Sequence, residues 1–92
     1  MKYTLRTTKK FEKSVKLCVK RNCPMEELRT VMSILVEKGT LPIEYRPHKL
    51  KGKRSNCVWE CHIQPDWLLV WEQYDNELIL LMLDTGTHSD LF

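Results

Sequence analysis

The stretch that most constrains the fold is Trp59-Glu60-Cys61-His62-Ile63-Gln64-Pro65-Asp66-Trp67-Leu68-Leu69-Val70-Trp71. Side chains alternate across a strand, so from Cys57 to Ile63 one face would carry Cys57, Trp59, Cys61 and Ile63, and the other Val58, Glu60 and His62. Gln64-Pro65 turns the chain, and Trp67–Tyr74 follows as an apolar run of the kind buried on both faces. Tyr74-Asp75-Asn76-Glu77 then reads as a tight turn into a further strand, Leu78–Leu83. Three consecutive strands of this composition call for a sheet, and a sheet with an apolar face needs a cover.

The first half supplies that cover. Met1 to Arg6 reads as a short strand with Tyr3 and Leu5 on one face, and Thr7 or Thr8 is placed to cap a helix. Over Lys9–Arg21 the apolar positions Phe11, Val15 and Cys18 recur at helical spacing. Asn22-Cys23-Pro24 breaks the chain, with Pro24 suited to the first turn of a second helix and Glu26 and Glu27 at its positive end. Leu28, Val31, Met32, Leu35 and Val36 form that helix's buried stripe, and Gly39 is a natural terminator. Thr40 to Asn56 reads as a loop with one short strand at His48–Lys51. The expected fold is α+β: an N-terminal strand and a two-helix hairpin packed on a mostly antiparallel sheet, in one domain spanning 1–92.

Charge is distributed unevenly along the chain. All fifteen Lys and Arg lie in residues 1–54 against five acids, a net +10, while residues 55–92 carry seven acids and neither Lys nor Arg, a net −7. The basic half suits a polyanion such as RNA. Lysines interrupt the first twenty residues and no apolar run approaches the roughly 18–20 residues a bilayer requires, so neither a signal peptide nor a membrane span is expected. The cysteines fit a cytoplasmic protein. Cys57 and Cys61 on one strand would stand about 13 Å apart at ~3.3 Å per residue, too far for a disulfide or a shared metal. Cys18 and Cys23 lack a Cys-x-x-Cys spacing, so four reduced thiols are expected and no metal is called for.

Some polar groups sit where packing alone would not put them. His62 and Asp66 bracket the Pro-containing bend of an otherwise apolar run, and His88 follows the last strand in Thr85-Gly86-Thr87-His88-Ser89-Asp90-Leu91-Phe92. His48 lies among Arg46, Lys49, Lys51, Lys53 and Arg54, cations that tend to lower an imidazole's proton affinity. Imidazoles and a carboxylate suffice for proton transfer near neutrality. Trp67 fits either the core or a platform on which an RNA base stacks.

Together, the run from Trp59 to Val70, the segment Thr85 to Phe92 and the upstream His48-Lys49-Leu50-Lys51-Gly52 resemble the YafQ branch of the RelE/ParE toxin superfamily. The resemblance implies a ribosome-dependent mRNA endoribonuclease toxin, without a metal or other cofactor, silenced by a DinJ-like antitoxin. In that chemistry the RNA 2′-OH attacks the adjacent phosphate, leaving a 2′,3′-cyclic phosphate and a 5′-OH. Position by position, His48, His62, Asp66 and His88 match the family's catalytic residues, and Trp67 and Phe92 match its base-holding ones. His48 together with His62 or His88 would share the proton transfers, and Asp66 would orient an imidazole. Lys49, Lys51 and Arg54 would contact the substrate, and Lys9, Lys10, Lys13, Lys16 and Lys20 would face ribosomal RNA. The chain departs from the family at Asp84, where relatives often carry Arg. An anion beside the scissile phosphate would oppose the charge that develops there. Two other functions suit the same fold: a ParE-like toxin that binds a protein target without cleaving RNA, and a plain RNA- or ribosome-binding module.

Overall fold

The computed structural model describes residues 2–50 and 57–91. In chain order its elements are β1 (Thr4–Thr7), α1 (Lys9–Lys20), α2 (Met25–Lys38), a 3-10 turn (Ile43–Tyr45), β2 (His48–Lys49), β3 (Val58–Gln64), β4 (Trp67–Tyr74), β5 (Ile79–Gly86) and α3 (His88–Leu91). The strands form one sheet in the order β1-β5-β4-β3-β2, antiparallel except where β1 runs parallel to β5. The α1–α2 hairpin is the crossover that lets β1 run parallel to its neighbour at the sheet edge. This is the α+β arrangement the sequence leads one to expect.

Local chemistry explains the helix ends. Thr8 caps α1, its hydroxyl accepting the Phe11 N–H at 3.1 Å while donating to the Met82 carbonyl, so the cap also ties α1 to β5. Pro24 stands at the N-cap of α2, one position before the expected first turn, with Glu26 and Glu27 in that turn. Gly39 ends α2 in the left-handed region at φ 68°, its N–H bonding the Leu35 carbonyl, and a side chain there would collide with the Tyr3 ring.

Both long helices pack on one face of the sheet. Phe11 and Cys18 of α1 and Leu28, Val31 and Leu35 of α2 meet Cys61 and Ile63 of β3, Trp67, Leu69 and Trp71 of β4, and Leu80 and Met82 of β5. The strand parity read from the sequence thus selects the right core face. The opposite face is less open than parity implies, because Val58, Glu60, Leu68 and Val70 are buried there as well. Among the cysteines, Cys18 and Cys61 are buried and Cys23 and Cys57 half-buried, and none forms a disulfide. Burial pushes the Cys18 thiol up to about 11 and the Cys61 thiol to about 12, which keeps both protonated.

Several boundaries differ from the sequence reading. β1 spans Thr4–Thr7, a 3-10 turn at Ile43–Tyr45 replaces featureless loop, β2 ends at Lys49, β3 runs one residue later at each end, and β5 starts at Ile79 and continues through Asp84-Thr85-Gly86. The last difference matters most, because it places Asp84 and Thr85 inside the sheet. Leu83 of β5 is the extra residue of a bulge, because Val70 pairs with Asp84 and the next β4 residue, Trp71, pairs with Met82.

Candidate active site

The face of the sheet away from α1 and α2 carries the polar groups that the sequence marks out. On β3, Glu60 and His62 share that face, and β2 places His48 directly across from Glu60. His62 lies opposite Leu68, and Leu68 lies opposite Gly86 at the end of β5. One residue after Gly86, Thr87 turns the chain into α3 and sets His88 at its first position. The sheet therefore brings His62 of β3 and His88, just past β5, together across the start of β4. Their ring centroids are 5.9 Å apart, with the planes tilted by 49°.

Asp66 joins this pair. Only Pro65 and Asp66 connect β3 to β4, since Gln64 pairs with Trp67 across the turn. From there Asp66 Oδ1 accepts the His88 backbone N–H at 3.1 Å and faces His88 Nδ1 at 2.9 Å. The hydrogen bond from the imidazole, reinforced by the backbone N–H, holds the Asp66 carboxyl below the usual carboxylate range, so it remains an anion facing His88. His62 Nδ1 donates to the Pro65 carbonyl at 3.3 Å. In both rings the Nδ1 contact is with an acceptor, which places a proton on Nδ1. Nε2 of each takes no partner among the described residues. Two imidazoles so arranged offer one lone pair to accept a proton and, when doubly protonated, one N–H to give.

A capping box fixes α3. The Thr87 N–H donates to Asp90 Oδ2 at 2.9 Å and the Asp90 N–H donates to Thr87 Oγ1 at 3.2 Å. Arg21, just past α1, grips the same carboxylate, with Nη1 to Oδ2 at 2.7 Å. The Arg21 guanidinium, with the Thr87 N–H, draws the Asp90 carboxyl down to about 2. Neither Arg21 nor Asp90 stands out in the sequence. The available signal was the spacing Thr87-x-x-Asp90, a capping box written in four residues. Glu60 was also missed, although it shares strand parity with His62.

Residues 3–92 match the family model described as the bacterial toxin of type II toxin-antitoxin system, YafQ. The chain belongs to the YafQ family. The mRNA interferase toxin YafQ of Escherichia coli K12 is 35% identical over 83 residues, which cover 89% of this chain and 87% of that protein. In the crystal structure of the Escherichia coli DinJ-YafQ complex, a chain 32% identical superposes with a TM-score of 0.90, the match covering 98% of each chain. A metal-bound toxin from Helicobacter pylori, 36% identical, superposes with a TM-score of 0.88 over the full length of both.

Within this YafQ-family fold, some residues implied by the resemblance lie away from the histidines. Trp67 is 4% exposed and belongs to the helix-side core, its indole N–H donating to Thr85 Oγ1 at 2.9 Å. A base needs an open ring face, so Trp67 is a core residue, not a platform. Thr85 Oγ1 in turn donates to the Leu68 carbonyl, so Trp67 braces β4 against β5 beneath the site. Lys49 follows His48 on β2 and points the other way, its Nζ 5.6 Å from the Trp59 ring centroid. It therefore faces the helix side and not the histidine face. Asp84 also departs from expectation. Its carboxylate accepts the Ser14 hydroxyl at 2.5 Å and the Thr85 N–H at 2.9 Å, and Lys10 stands 3.3 Å away. It turns toward α1, so it is a link between helix and sheet and not an anion presented to a phosphate.

Lys9, Lys10, Lys13, Lys16 and Lys20 are exposed along α1, on the side of the sheet opposite the histidines. Lys51, Arg54 and Phe92 lie outside the described residues. Among the described residues, no three His, Cys, Asp or Glu side chains are grouped to ligate a metal.

Proposed function

We propose that this chain is a ribosome-dependent mRNA endoribonuclease toxin that cleaves by acid-base chemistry with the RNA 2′-OH as nucleophile. The observation that carries the reading is the His62–His88 pair, two imidazoles 5.9 Å apart with Nδ1 anchored and Nε2 unpartnered among the described residues. One Nε2 takes the 2′-OH proton while the other delivers a proton to the departing 5′-oxygen, so the two rings supply both transfers without a metal-bound water. Asp66 holds the His88 ring in the tautomer that leaves Nε2 available. His48, Lys51 and Arg54 supply contacts to the RNA, and Phe92 holds a base. The name of the Escherichia coli relatives, mRNA interferase toxin YafQ, supports this reading of the reaction.

The partner that silences the toxin is a DinJ-like antitoxin, a reading supported by the similarity to the YafQ chains of two DinJ-YafQ complexes. Ribosomes and mRNA place the work in the cytoplasm. No helix among the described residues is long and apolar enough to cross a membrane. The test is the chemistry of the cut ends. Purified protein added to translating ribosomes should yield mRNA fragments ending in a 2′,3′-cyclic phosphate and beginning with a 5′-OH. Fragments with 5′-phosphates, or translation arrest without cutting, would contradict the reading, and the second result would favour a toxin that acts by binding.

A further inference from the structure

His48 differs from the other two histidines in having both ring nitrogens engaged. Nδ1 meets the Arg46 carbonyl at 3.0 Å and Nε2 meets Glu60 Oε1 at 3.2 Å. A carbonyl only accepts, so Nδ1 carries a proton. Nε2 faces a carboxyl oxygen, and two bare lone pairs would repel, so that contact holds a proton too, on one atom or the other. Glu60 is the enclosed member of the pair, with its side chain 8% exposed against 47% for His48. Its second oxygen, Oε2, is buried with no hydrogen-bond partner. A buried carboxyl with an empty oxygen is costly, so packing alone does not account for it.

Among the described residues, Glu60 has no other polar partner. Across β4 it faces Val70, and its neighbours on the same face of β3 are Val58 and His62, whose Nδ1 is bound to the Pro65 carbonyl. Among the described residues, His48 is the one polar group in contact with the Glu60 carboxylate.

We propose that Glu60 is a positioning residue for RNA cleavage, which fixes the His48 ring through one shared proton. His48 is thereby assigned to holding the RNA while His62 and His88 transfer protons. The proposal rests on the ribonuclease reading above. It takes His48 out of the proton transfers, where the family resemblance had put it together with His62 or His88, because a ring with both nitrogens occupied has none left to exchange a proton with the substrate.

Three proteins test it: Glu60→Gln, His48→Gln and the double variant, each checked for folding by thermal melting. Glu60→Gln should lower kcat/KM for cleavage of ribosome-bound mRNA by about 10-fold to 10²-fold, the scale expected when a contact group is misplaced. His48→Gln should lose as much, and the double variant no more than the larger single loss, because Glu60 acts only through His48. Losses that multiply in the double variant would overturn the proposal. Nitrogen-15 spectra give an independent readout. Glu60→Gln should move the His48 Nε2 resonance and leave those of His62 and His88 in place. An unmoved His48, or three histidines that move together, would also overturn it. Should the wild-type protein cut no RNA at all, the ribonuclease reading falls, and the nitrogen spectra still decide whether Glu60 and His48 share a proton.

Discussion

At the scale of single residues, one nitrogen of the His62 ring and one of the His88 ring are fixed, and the other of each is without a partner among the described residues. Asp66 does this for His88, through an exposed carboxylate held by two donors from the same residue. Asp66→Asn keeps an acceptor for the backbone N–H but removes the charge that faces the imidazole. Cleavage should slow by about 10-fold to 10²-fold, less than the loss of an imidazole itself, with binding to ribosomes unchanged. Equal rates in wild type and variant would remove Asp66 from the mechanism. Trp67 predicts the opposite behaviour. Trp67→Phe should cost about 1–3 kcal/mol in a thermal or denaturant melt, by removing the indole donor to the buried Thr85 Oγ1 and opening a space, while cleavage by the folded fraction stays near wild type. The residue types of this site were legible in the sequence, since His62, Asp66 and His88 sat where an apolar hairpin had no use for them. What was not legible was direction. Trp67, Lys49 and Asp84 all turn toward the helix side, and local alternation around a bulge and a two-residue strand does not reveal that.

At the scale of elements, two links between α1 and the C-terminal region hold the site in place. Ser14 and Lys10 take Asp84 of β5, and Arg21 takes Asp90 of α3. Asp84→Arg should destabilise this chain by about 1–3 kcal/mol, because it breaks the Ser14 bond and sets a cation against Lys10. A melt unchanged by the substitution would show that the link contributes little. The second link has a pH dependence of definite sign. The Asp90 carboxyl is lowered from 3.8 to about 2, so its anchoring of α3 is complete above about 4 and disappears as pH falls through about 2. Protection of the Thr87 amide, taken relative to its intrinsic exchange rate, should fall over that window in the wild type. In Asp90→Asn it should be low even at neutral pH. The helices and core strands followed from periodicity alone, whereas the end of β5 was missed because Asp84-Thr85-Gly86 has the composition of a turn. Its polar side chains are satisfied by α1 and by Trp67, partners that only the assembled sheet supplies.

At the scale of the whole molecule, the α1 lysines and the histidine face occupy different sides of the sheet. The α1 lysines lie over the face packed by the helices, and the acid-base pair lies on the other. Binding and chemistry should therefore separate experimentally. Neutralising Lys9, Lys13 and Lys16 should weaken ribosome affinity and flatten its dependence on salt, because fewer counterions are released, without changing the rate of the chemical step. Whether His62 and His88 carry the proton transfers is decided by single-turnover cleavage of a programmed, ribosome-bound mRNA. Wild type should cut, while His62→Ala and His88→Ala, folded and bound to ribosomes with unchanged affinity, should each cut at least about 10²-fold more slowly, the lower end for one general acid or base. Near wild-type cutting by either variant would contradict the account and return the proton transfers to His48.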